Sequence, residues 1–183
     1  MIEMAKSLEL EKRNKKDIIT DCGNRKRRML HILRNYSESA RIRSYGGGNY
    51  FANNLPESQC WIVWDKKHPE GIKFADGELA WTSFNSSLRI FRFLWNGMLQ
   101  EHMGKDKEKR IHPTQKPVAL YEWILRNYAK EGDKILDTHV GSGSSRIACA
   151  KLGFDFIGYE IDKKYFEDQE NRFKEEEYKI PLF

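Results

Sequence analysis

Asp137, His139, Gly141, Ser142, Gly143 and Glu160 are the residues whose types and spacing could do chemistry. Asp137 closes the apolar run Ile135-Leu136, and Thr138-His139-Val140-Gly141-Ser142-Gly143-Ser144-Ser145 follows before a helical stretch. A glycine-rich turn between a strand and a helix lets a ligand approach bare backbone. The helix N-terminus behind it offers unpaired N–H groups and a partial positive charge. Such a turn holds an anionic group. Glu160 ends a second apolar run at roughly the 20-residue interval that sets an acid on ribose hydroxyls in nucleoside-binding β-α-β units. Glycines at such turns also serve packing alone, and Arg146 stands where a dinucleotide fingerprint carries its third glycine. The pattern therefore predicts a nucleoside-cofactor site and disfavours hydride transfer.

The elements that must position these residues follow from periodicity. Trp61 to Asp65 is a continuous apolar run of strand length ending in an acid, suited to the middle of a sheet buried on both faces. Residues 78–84 and 88–95 read as two further strands joined by Asn85-Ser86-Ser87. Val118 to Tyr128 is a helix with Leu120, Trp123, Ile124 and Tyr128 inward, and a charged helix over 163–179 turns Tyr165, Phe166 and Phe173 inward. Upstream, residues 1–16 are expected to form a mobile arm, Asp17-Ile18-Ile19-Thr20-Asp21 a short strand, and Arg25 to Asn35 a cationic helix with Met29, Ile32 and Leu33 as its core stripe. Residues 178–183 could add a short edge strand. Tyr45-Gly46-Gly47-Gly48-Asn49-Tyr50-Phe51 is a loop that brings backbone and aromatic rings together.

A chain of 183 residues with 39% apolar content suits one domain with its own core. Its N-terminus lacks an apolar leader, no run reaches membrane-span length, and Cys22, Cys60 and Cys149 stand apart with no metal or disulfide spacing. A reducing cytoplasm, with no metal and no membrane partner, is the expectation. Residues 1–46 hold twelve Lys or Arg against six Asp or Glu, enough to recruit a polyanion or simply to solvate a surface. Arg89 and Arg92 among aromatics, and Lys105, Lys107 and Lys109 in a basic loop, are the places to look for nucleic-acid contacts.

His112-Pro113-Thr114-Gln115-Lys116-Pro117, the turn from Asp137 to Ser144, and Gly158-Tyr159-Glu160-Ile161-Asp162 together resemble the S-adenosylmethionine-dependent amino-methyltransferases of DNA. The subgroup is the one whose cofactor half follows its catalytic half. The resemblance runs from about Gly46 to Arg172, with Gly47 to Phe51, Trp61 to Lys66 and Asp76 to Phe84 similar to phage and bacterial adenine-specific members. It implies a Rossmann-like α/β methyltransferase fold, a mostly parallel sheet flanked by helices with an antiparallel strand. Residues 17–110 would then form the base and DNA side and 111–183 the cofactor side. It implies S-adenosylmethionine as cofactor and DNA as partner. The glycine turn would wrap the methionine moiety, Glu160 would accept from the ribose, and Thr114, Gln115, Lys116 and Pro117 would close over the cofactor. His139 stands where many members have phenylalanine.

The family also places Asp-Pro-Pro-Tyr at a strand end, where the acid and a proline carbonyl orient the amine and the tyrosine stacks on the flipped base. This chain has no Pro-Pro, and Asp21, followed by Cys22-Gly23-Asn24, is the positional candidate for the acid. Two readings therefore stand: a DNA adenine N6-methyltransferase with Asp21 as the amine-orienting acid, and a catalytically impaired remnant that binds cofactor or DNA. N4 of cytosine stays open as a target.

Overall fold

The computed structural model describes residues 2–5, 42–71, 73–96 and 98–178. The expectations for the strand ending at Asp21, the helix over 25–35 and the segment 179–183 lie outside these residues, whereas the expectation of a mobile arm over 1–16 is corrected at residues 2–5, which form a strand hydrogen-bonded on both sides within the sheet.

Among the described residues seven strands form one sheet: β1 (Ile2–Ala5), β2 (Ile42–Gly46), β3 (Trp61–Asp65), β4 (Gly77–Thr82), β5 (Arg89–Arg92), β8 (Lys134–Asp137) and β9 (Asp155–Gly158), in the order β5-β3-β4-β2-β1-β8-β9. A separate hairpin joins β6 (Trp95–Asn96) to β7 (Leu99–Gln100). Three helices are described: α1 (Val118–Tyr128), α2 (Ser144–Leu152) and α3 (Lys163–Glu177). Among the described residues only β3–β5 and β8–β9 pair in parallel. Carried across the four antiparallel pairings, however, the directions of β2, β3, β5, β8 and β9 agree, and β1 and β4 run against them. The expected predominance of one direction is present, with two opposed strands in place of one. Gly46, Asp65, Asp137 and Gly158 consequently end their strands at one edge of the sheet, where ligands of such folds gather.

The β8-α2-β9 unit is held by short connections. Val140 N–H donates to Tyr159 O at 3.0 Å and Tyr159 N–H to Asp137 O at 2.9 Å, which ties the glycine turn to the end of β9. Gly143 precedes α2 and Gly153 follows it, both left-handed, with φ of 76° and 72°. Those angles favour glycine at helix entry and exit. Helix α3 starts at Asp162, whose carboxylate accepts from Lys164 N and Tyr165 N. Among the described residues no helix is long and apolar enough to cross a membrane, and no group of three His, Cys, Asp or Glu could hold a metal.

The core lies between the sheet and α1 and α2, with Ile62, Trp64, Phe91, Leu120, Ile124, Leu125, Ile135 and Ile147 among its members. Two expectations are corrected here. In β3 only Ile62 and Trp64 are buried, while Trp61, Val63 and Asp65 are half-buried, so the strand has one well-covered face. In α3, Phe166 is 46% exposed, and Gln169 and Arg172 are the buried residues. That helix packs on the polar glycine turn, so the stripe it turns inward must carry hydrogen-bonding groups. Trp123 and Tyr128 are half-buried against the core, and Leu125 is the fully buried residue of α1. Leu125→Ala should cost about 2–5 kcal/mol, read as a lower urea midpoint at unchanged slope. A loss below about 1 kcal/mol would contradict this packing.

Candidate functional site

A cavity opens at the carboxyl edge of the sheet between β2, β4, α1 and the glycine turn. It is lined by Ser44, Gly46, Glu78, Thr114, Gln115, Lys116, Tyr121, His139, Gly141 and Ser142, with Leu120 and Ile124 as apolar floor. Of the residues anticipated from sequence, Thr114, Gln115, Lys116, His139, Gly141 and Ser142 thus converge on one cleft.

The glycine turn is built from its own hydrogen bonds. Asp137, buried at the end of β8, accepts from His139 N–H at 2.9 Å through Oδ1 and from Ser145 Oγ at 2.6 Å through Oδ2. It therefore holds both ends of the turn. Glu160 Oε2 accepts from Gly141 N–H at 2.8 Å, and its Oε1 from Asp162 N–H at 2.9 Å. Each carboxylate oxygen has two acceptor positions, so both retain capacity for hydroxyl donors. Gly141 has φ 55°, and a Cβ there would stand 3.6 Å from the His112 ring. Bare backbone is what that turn conformation requires. Gly143 is packed from behind, where a Cβ would meet Gln169 at 3.1 Å. Its role is to let α3 close on the turn.

The segment before α1 is equally constrained, and not always as anticipated. The Gln115 side chain donates to Lys109 O at 3.0 Å and accepts from Ile111 N–H at 2.9 Å. It pins the basic strap, while its own carbonyl accepts from Trp95 Nε1 at 3.1 Å. Thr114 Oγ1 hydrogen-bonds His112 Nδ1 at 3.1 Å, and His112 lies edge-on to Tyr165. Pro117, fully buried, precedes the first turn of α1. Lys116 pairs with Glu78 at 2.8 Å.

Charge in the cleft is set by burial and neighbours. Burial lowers His139 below the ordinary histidine range despite the nearby Asp137, and burial does the same for His112 against Glu160. Both rings are neutral at pH 7. Tyr121 is pushed far up by burial, with Asp137 and Glu78 adding to the shift, so its hydroxyl remains a neutral donor. Burial works to raise Glu78, yet Lys116 and Lys66 hold it below the usual carboxylate range.

Arg172 was invisible to sequence reading except as one charge among many on α3. Its Nη1 donates to Ser142 O at 2.8 Å and Ser144 Oγ at 2.9 Å, and its Nη2 to Glu108 Oε2 at 2.6 Å. Glu108 Oε1 in turn accepts from Val118 N–H at 2.9 Å, capping α1. Burial raises Glu108 even with Arg172 beside it. Glu78 and Tyr121 were likewise missed as cleft residues, their signal hidden inside elements read for packing alone.

The nucleic-acid candidates are dispersed. Arg89 and Arg92 are exposed on β5, the far edge of the sheet from β9, with Arg92 Nε 3.4 Å from Asp65. Lys105, Lys107 and Lys109 belong to the strap that leads into the cleft, Lys105 and Lys109 exposed and Lys107 half-buried. Asp21 falls outside the described residues.

Comparison with known proteins agrees with this geometry. Residues 25–171 match the N6/N4-type family model described as DNA methylase. The chain is 41% identical over 115 residues to the type II methyltransferase M2.DpnII of Streptococcus pneumoniae, covering 63% of this chain and 42% of that protein. It is 42% identical over 71 residues to the type II methyltransferase M.HpaI of Haemophilus parainfluenzae, covering 39% and 23%. The chain spans less than half the length of these curated relatives. In structure it resembles M1.HpyAVI, solved as a complex with SAM, at a TM-score of 0.57 and 23% identity over 79% of this chain and 82% of that one. That likeness establishes the fold.

Because Arg172 is buried and charged, removing either partner leaves the other uncompensated. Arg172→Met should cost about 3–5 kcal/mol, and the Arg172→Met, Glu108→Leu double variant should lose less than the two singles combined. Urea unfolding of the three variants checks this, and strict additivity would contradict it.

Proposed function

Because the chain belongs to the DNA methylase family of the N6/N4 type, we propose that it binds S-adenosylmethionine in the cleft and transfers its methyl group to N6 of adenine in duplex DNA. The observation that carries this reading is the convergence of Gly141, His139 and Lys116 on one cleft at the carboxyl edge of the sheet, with Glu160 hydrogen-bonded to the Gly141 amide. The donors and acceptors suit such a cofactor. Glu160 keeps acceptor capacity for ribose hydroxyls, and Ile161 beside it, 68% exposed, offers an apolar surface to a purine face. Lys116 supplies a cation for a carboxylate and Tyr121 a neutral hydroxyl donor, while neutral His139 presents a flat ring.

When bound, S-adenosylmethionine supplies an electrophilic methyl group on a sulfonium. Transfer from such a carbon asks little acid–base help of the protein, and much orientation. Asp137 holds an amide of the glycine turn and Arg172 a carbonyl, so the donor's position is set before any base arrives. Asp21 is the acid proposed to accept a hydrogen bond from the exocyclic amine and aim its lone pair. The basic strap, with Lys105, Lys107 and Lys109, is proposed to take DNA phosphates alongside Arg89 and Arg92. The relatives' description as type II methyltransferases supports a role in restriction-modification, and the cytoplasm is the compartment where such a target is met.

A second reading, a catalytically impaired member that binds cofactor or DNA without turnover, is favoured by one observation. Cys22-Gly23-Asn24 follows Asp21, and Pro-Pro occurs nowhere in the chain. An extruded base without a stacking ring forgoes about 1–3 kcal/mol.

Purified protein with tritiated cofactor should label duplex DNA at N6-methyladenine, and Asp21→Ala should cut labelling at least about a hundredfold, roughly 3 kcal/mol. Folded protein that binds cofactor and labels no DNA would establish the second reading instead. Substituting Lys105, Lys107 and Lys109 together by Gln should weaken DNA binding at every sequence and flatten its salt dependence. An unchanged slope would remove the strap from the DNA contacts.

A further inference from the structure

One ion cluster in the cleft wall does more than the proposed reading asks of it. Glu78 Oε2 is 2.8 Å from Lys116 Nζ, and Glu78 Oε1 is 3.0 Å from Lys66 Nζ, with no side chain of the three more than 21% exposed. Glu78 and Lys116 line the cavity. Lys66 lies behind them, its ammonium 5.1 Å from the centre of the Trp64 ring. The Lys116 stem crosses Gly46, where a Cβ would stand 3.1 Å from Lys116 Cε. A side chain at Gly46 would crowd the lysine stem, which would have to give by a few tenths of an ångström.

A structural tie between two elements needs one ion pair, and burying a third charge adds desolvation cost. Here the third charge has a consequence for what the cleft presents. With Lys66 compensating Glu78 from behind, the carboxylate stays ionised without drawing all its balance from Lys116. The cavity then faces a carboxylate and an ammonium side by side. After one lysine bond apiece, the Glu78 oxygens retain acceptor capacity, and the Lys116 ammonium retains further donors. An α-amino acid carries its ammonium and carboxylate on one carbon, which is the complementary pair.

Beside the cofactor carboxylate already assigned to Lys116, we infer that Glu78 takes the α-ammonium, so that the pair reads the amino-acid end as a zwitterion. The inference rests on the reading of this cleft as an S-adenosylmethionine site. It makes Glu78 a specificity-determining residue that separates the full cofactor from adenosyl compounds lacking one charge.

The test is calorimetric and independent of turnover. Four ligands are titrated: S-adenosylhomocysteine, its analogue without the carboxylate, its analogue without the amino group, and 5′-methylthioadenosine, which lacks both. Wild-type protein should favour S-adenosylhomocysteine over each singly truncated analogue by about tenfold or more, the scale of a charge-assisted hydrogen bond. Glu78→Gln should cut the preference for the amino group several-fold and spare that for the carboxylate, and Lys116→Met should do the reverse. Circular dichroism melts certify folding, and either variant alone suffices if the other does not fold. An unchanged amino preference in folded Glu78→Gln, or an unchanged carboxylate preference in folded Lys116→Met, overturns the inference and leaves cofactor binding standing. Wild-type protein that binds none of the four ligands overturns the underlying reading itself.

Discussion

The guanidinium of Arg172 is the constraint on which the cleft depends. It reaches from α3 to Ser142 O and Ser144 Oγ in the glycine turn, and through Glu108 to the first backbone N–H of α1. Three separate stretches of chain are thereby referred to one buried charge. A turn rich in glycine loses more conformational entropy on ordering than any other segment of its length. It stays in one shape only if something fixes its carbonyls as well as its amides. Asp137 and Glu160 hold the amides of His139 and Gly141, and Arg172 holds a carbonyl. With donors and acceptors both committed, the turn is preorganised before a ligand enters.

The same network explains why the strap before α1 is part of the site. Glu108 N–H donates to Gln100 Oε1 and Gln100 Nε2 to Glu108 O, while Gln115 ties Lys109 and Ile111. On that anchored backbone Lys105 and Lys109 are exposed while Glu108 turns inward to Arg172. Sheet direction completes the arrangement. Because β2, β3, β8 and β9 end at one edge, Gly46 from the first half of the described chain faces Gly141 from the second across the cleft.

Much of this was legible in sequence, for physical reasons that differ by element. Helix α1 and strand β3 have the bounds that their apolar patterns give, although Val63, Trp123 and Tyr128 are covered less and Leu125 more than those patterns imply. The glycine turn was legible because positive φ leaves few alternatives to glycine. Phe166 and Arg172 were misjudged together. Hydrophobicity reads the apolar stripe of a helix, and α3 packs against a polar turn whose carbonyls need a cation. Glu78 was hidden for a related reason: it opens a strand read for its apolar residues, and its partners Lys66 and Lys116 lie 12 and 38 positions away. Pairings between distant residues leave no local periodicity. Gln115 is the converse case, a residue that lines the cleft while its amide turns away to hold the strap.

Central to the proposed function is the cofactor's place in the cleft lined by Gly141 and Lys116, beside Glu160. A crystal structure of the protein grown with S-adenosylhomocysteine tests it most directly. The account predicts ribose hydroxyls on Glu160, the purine against Ile161 and the amino-acid end beside Lys116. Ligand found ordered elsewhere on the chain, or an empty cleft in protein shown to be saturated, would contradict it.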